Sequence, residues 1–89
     1  MHAVVIQVTI HDFDRGRQML ENRIVPTVKG APGFVAGYWT RSGDSGLSMV
    51  VYESEEAARA VAEQIQSMGL PDDAVTVDGV EVCEVVASA

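Results

Sequence analysis

This chain of 89 residues is poor in several things at once: one cysteine, three prolines, five aromatic side chains and six basic residues. A lone Cys83 excludes an internal disulfide and fits a reducing compartment. No apolar run approaches the roughly 18 residues needed to cross a bilayer. The first residues show no basic flank followed by an apolar run and a small-residue cleavage site, so no signal peptide is expected and the expected location is cytoplasmic. Thirteen acidic residues against six basic ones give a net charge of −7 with no basic cluster, which disfavours nucleic acid and anionic membrane as partners. The sequence has no C-x-x-C, no H-x-x-x-H and no carboxylates at metal-ligand spacing, so no metal is expected. Gly30-Ala-Pro-Gly33 precedes a strand, and Gly43-Asp-Ser-Gly46 sits in a hairpin; neither is a phosphate-cradling loop at a helix N-terminus, and no cofactor is expected.

What is present is a regular alternation of elements in a single domain, residues 1–89. His2–Ile10 is rich in β-branched residues; Val4, Ile6, Val8 and Ile10 share one face, Ala3, Val5, Gln7 and Thr9 the other. Asp12 or Asp14 can cap a helix whose stripe is Leu20, Ile24 and Val28, with Met19 and Val25 beside it. Pro26 should kink this helix or end its regular part, and Gly30–Gly33 should stop it. Phe34–Arg41 and Leu47–Glu53 flank Ser42-Gly-Asp-Ser-Gly46, a hairpin signal. A turn centred on Asp44-Ser45 would set Trp39 opposite Val50 and Tyr38 opposite Val51. The face with Phe34, Ala36, Tyr38, Thr40, Leu47, Met49 and Val51 is the more uniformly apolar and is assigned to the helix side, a choice that a one-residue slip would reverse.

Ser54 opens a second helix with Glu55 and Glu56 in its first turn and Ala58, Val61, Ile65 and Met68 as its stripe; Gly69 and Pro71 should end it. Ala74–Ala87 is the last strand, with a bulge or bend at Asp78-Gly79. The order βαββαβ with short connections specifies an α+β, ferredoxin-like sandwich, both helices on one face of a four-stranded antiparallel sheet. Every strand is apolar on both faces. One face of the sheet therefore lacks a cover, and a second copy of the chain is the simplest one, so a homodimer is expected.

Few residues carry candidate chemistry. His11, at the end of the first strand, is either a base at a pocket rim or a solvated side chain; His2 reads as ordinary surface. Cys83, mid-strand with no neighbouring histidine, reads as an inert thiol. Tyr38, Trp39 and Tyr52 combine apolar bodies with polar tips and suit a pocket for a small, flat aromatic ligand, though core packing or a dimer seam would use them equally. Gln7, on a strand apolar on both sides, needs a hydrogen-bond partner from a second subunit, water or a ligand.

Pro32-Gly33-Phe34, Gly37-Tyr38-Trp39, the junction Val51-Tyr52-Glu53-Ser54-Glu55-Glu56-Ala57-Ala58 and the closing Val82-Cys83-Glu84-Val85-Val86 resemble the antibiotic biosynthesis monooxygenase-like branch of the dimeric α+β barrel superfamily. That resemblance implies a homodimer with two sheets face to face, and a cavity between sheet and helices. Its active members include cofactor-independent oxygenases of polycyclic phenols and haem-degrading enzymes. Gln7 stands nearest to their first-strand asparagine, and the second helix has no histidine, against the haem-binding variety. The resemblance thus points to a cofactor-independent monooxygenase acting on an aromatic or polyketide-like molecule, with Trp39, Tyr38 and Tyr52 lining the pocket, Gln7 orienting the substrate and His11 accepting a proton. The alternative is a non-catalytic dimeric ligand-binding or accessory protein of the same fold.

Overall fold

The computed structural model describes residues 1–67 and 74–89. Strand β1 (His2–Ile10) leads into helix α1 (Phe13–Met19), a π-helical turn (Leu20–Ile24) and helix α2 (Val25–Gly30), which together form one continuous helical arm. Strands β2 (Phe34–Ser42) and β3 (Ser45–Tyr52) form the hairpin, followed by α3 (Glu55–Ser67) and β4 (Val75–Glu84). The sheet runs β2-β3-β1-β4 with every neighbour antiparallel, the ferredoxin-like arrangement expected. Expected features at Met68, Gly69 and Pro71 lie outside the described residues.

Local chemistry accounts for the element ends. Asp12 caps α1 by accepting the Arg15 N–H at 3.2 Å, and Ser54 caps α3 by accepting the Ala57 N–H at 3.2 Å. Pro26 does not end the helical arm. A proline lacks an N–H and crowds the carbonyl four residues back. Here the turn just before it is widened, with the Val25 N–H bonded to the Leu20 carbonyl, so the chain passes Pro26 without breaking. Among the described residues, Gly33 and Gly43 are the glycines with positive φ, at 83° and 60°. Gly43 is the first of two central residues in the hairpin turn, where the twist of the strands favours a left-handed residue.

That turn is centred on Gly43-Asp44, one residue earlier than expected. Trp39 therefore pairs with Ser48 and Tyr38 with Met49. Cross-strand partners share a face, so the register chains Trp39, Ser48 and Ile6 together, and likewise Gly37, Val50 and Val4. Val4, Ile6, Val50 and Tyr52 are buried with Ile24, Val28, Ala58, Val61, Ala62 and Ile65 of the helices. The helix side of the hairpin is thus the face carrying Trp39, and the face expected there, with Tyr38, Leu47 and Met49, is the open one. Phe34 is the exception. A bulge between Phe34 and Ala36 returns it to the helix side, where its ring meets Tyr52 edge-on at 6.1 Å and 75°. The bend expected at Asp78-Gly79 is also a bulge: Gln7 pairs with Gly79 and Val8 with Val77.

Among the described residues, no helix is long and apolar enough to cross a membrane, and no group of three or more His, Cys, Asp or Glu side chains is placed to hold a metal.

Candidate functional site

Between the helical arm and the sheet lies a cavity of about 320 Å³. Its sheet wall is Ile6, Val8 and Ile10 of β1, Trp39 to Arg41 of β2, Ser48 of β3 and Val75 of β4; its helix wall runs from Phe13 to Ile24, with Ile65 from α3. The wall is overwhelmingly apolar. Ser48 is the one buried polar residue among the described residues that line it, 9% exposed, and it stands beside Trp39 in the register. Its hydroxyl is both donor and acceptor, a buried polar handle in a largely apolar wall.

Trp39 forms the aromatic part of the sheet wall, and its seat is made by a glycine. A Cβ on Gly37 would lie 2.8 Å from indole Cη2 and 3.0 Å from Cζ3, so the ring occupies the space a side chain would need. Among the described lining residues, three are charged. Arg17 and Glu21 pair at 3.0 Å across one helical turn, both exposed. Arg41 places its guanidinium 3.6 Å from the centroid of the Phe13 ring, a cation–π contact that ties the end of β2 to the start of α1.

The other residues singled out from sequence do not join Trp39 in this wall. Tyr52 is fully buried in the core; its hydroxyl donates to the Val28 carbonyl at 3.0 Å, and burial pushes its pKa up from 10.0 to about 12. Tyr38 is 66% exposed on the open face, and Gln7 is exposed on that same side of β1. His11 is exposed, with Nε2 2.7 Å from the Thr76 hydroxyl. It follows cavity-lining Ile10 directly in the chain. His2 departs from the surface role expected of it: it is half-buried, with Nε2 3.3 Å from Glu55 and Nδ1 buried without a partner. Cys83 is a half-buried free thiol on the open side, paired in register with Ala3.

Ser48 and Arg41 are cavity-lining side chains that sequence reasoning passed over. Their signal was the run of small or polar residues Gly37, Arg41, Gly46 and Ser48 on one hairpin face.

No protein-family model and no curated protein matches the chain. Solved structures do. SnoaB, a cofactor-independent oxygenase from Streptomyces nogalater, is 16% identical with a TM-score of 0.76, over 98% of this chain and 94% of that one. A monooxygenase from Streptomyces coelicolor in complex with nanaomycin D is 13% identical with a TM-score of 0.63, covering 99% and 89%. The haem-degrader MhuD from Mycobacterium tuberculosis, with two haems in its active site, is 21% identical with a TM-score of 0.54, covering 97% and 98%. Across nearly its whole length, the chain has the α+β fold of these solved structures.

Proposed function

We propose that this chain is a small-molecule-binding protein of the monooxygenase-like α+β fold, taking a flat aromatic or polyketide-like ligand into the cavity against Trp39. The observation that carries the reading is the cavity itself: about 320 Å³, apolar, with one aromatic wall and one buried hydroxyl. That volume falls within the range of small-ligand sites, at its lower end, and suits a two- or three-ring molecule. A haem does not fit these residues. The described wall holds no histidine, cysteine or tyrosine, which serve as proximal ligands of haem iron.

The reaction best supported by likeness to the oxygenases is cofactor-independent oxidation of a phenol, in which the ionised substrate supplies its own electrons to dioxygen. In such a reaction Trp39 would stack on the ring, Ser48 would bond a carbonyl or hydroxyl, and His11, next to cavity-lining Ile10, is the residue assigned to accept the proton. The second reading, a non-catalytic binding or accessory protein, is favoured by the wall's own composition. The one carboxylate among its described residues, Glu21, is already paired with Arg17.

The proposed assembly is a homodimer through the open sheet face. Tyr38, Leu47 and Met49 are 66%, 43% and 43% exposed there, side by side on paired strands, and a contiguous apolar patch of this kind marks an interface. Gln7, Tyr38 and Cys83 then belong to the seam between subunits.

Oxygen uptake with a hydroxyanthrone separates the two functional readings. An enzyme converts the ring CH2 and O2 to a quinone carbonyl and water at a rate that Trp39→Ala and His11→Ala both reduce. A binding protein leaves uptake at the rate without protein while still binding the compound.

A further inference from the structure

Among the described residues, the cavity lining carries one cation that no carboxylate pairs. Arg17 and Glu21 neutralise each other, whereas Arg41 makes no ion pair with a described carboxylate and sets its guanidinium over the Phe13 ring. The guanidinium carbon lies 3.6 Å from the ring centroid, and the group's N–H donors, which form a fork matched to a planar oxyanion, make no hydrogen bond to a described residue. Phe13 thereby holds the fork in place, so less side-chain freedom is lost when an anion docks.

Arg41 also stands in a fixed relation to the aromatic wall. It is two residues beyond Trp39 on the same face of β2, about 7 Å along the strand. A ring held by Trp39 and Ile24 would thus extend an acidic substituent one ring-width toward the mouth.

We infer that the cavity selects aromatic acids: a flat bicyclic or tricyclic body lies against Trp39, and its carboxylate binds the in-plane N–H groups of Arg41. This rests on the proposal that the cavity is a ligand site, and it specifies which ligands within that class are preferred.

The test compares 2-naphthoate with the isosteric neutral 2-naphthamide. Binding is measured by calorimetry, and the site is reported by the NMR cross-peak of the single indole N–H, since Trp39 is the only tryptophan. The expected result is that both compounds shift the indole signal and that naphthoate binds about tenfold more tightly. Arg41→Gln should erase that preference and leave naphthamide affinity unchanged, while Arg41→Lys should retain only part of it. Equal affinity for the two compounds in the native protein, or a preference that survives Arg41→Gln, overturns the inference while the cavity reading stands. If neither compound moves the indole signal, both fall.

Discussion

The indole of Trp39 rests on Gly37, with no room between them for a methyl group: a Cβ at position 37 would come within 2.8 Å of Cη2. A bare backbone two residues earlier on the same face lets the ring lean along β2 and leave the cavity open beside it. Gly37→Ala forces the indole out of this seat or bends the strand. It should cost about 1–3 kcal/mol of stability. It should also weaken binding of a neutral aromatic probe such as 2-naphthol several-fold. Thermal unfolding and calorimetry on the variant check both effects, and Trp39→Ala should abolish the binding while sparing the steric cost.

Tyr52 and Val28 make the corresponding contact in the core. The Tyr52 hydroxyl bonds the Val28 carbonyl, which the Ala31 N–H also reaches at 3.2 Å, so removing the hydroxyl does not orphan that carbonyl. Tyr52→Phe should therefore cost only about 0.5–1.5 kcal/mol, read by urea denaturation at neutral pH.

The same residue sets an alkaline limit. Burial raises the Tyr52 pKa from 10.0 to about 12, so between these values the unfolded chain has lost a proton that the folded chain keeps. Stability from this group is complete below pH 10 and declines as pH rises toward about 12. Tyr52→Phe should flatten that part of the stability–pH curve. A decline of unchanged slope in the variant would assign it to other groups.

On the open face, Met49 pairs with Tyr38 on one side and Val5 on the other. If this patch is the subunit seam, Met49→Glu puts a charge in its centre and should convert the dimer to a monomer in sedimentation at micromolar concentration. Secondary structure should be retained, because the side chain is already 43% exposed in the single chain.

The sequence carried the architecture more fully than the site. β-Branched runs, the Asp12 and Ser54 caps and the Asp78 bulge were all legible because each follows from local chemistry. Which face of the hairpin meets the helices was not. Tyr38, Leu47 and Met49 made one face the more apolar, and apolar content normally marks the core. Here the core face is interrupted by Gly37, Gly46 and Ser48, for reasons that only tertiary contacts reveal. A Cβ on Gly46 would meet Val8 Cγ2 at 2.6 Å, and Gly37 and Ser48 flank the indole. The turn misplacement was harmless by comparison: it shifted pairing by two residues, which preserves which side chains share a face. Arg41 escaped notice because a charged residue near a strand end reads as solvated until Phe13, 28 positions earlier, is seen beneath it.

The claim on which the rest depends is that the space beside Trp39 is a binding site for a flat ring. A crystal structure of the protein soaked with 2-naphthol tests it directly. The expected result is ring density between Trp39 and Ile24 with the hydroxyl in hydrogen-bonding reach of Ser48. Density for the ligand elsewhere alone, or a chamber closed by the side chains that line it, would contradict the claim.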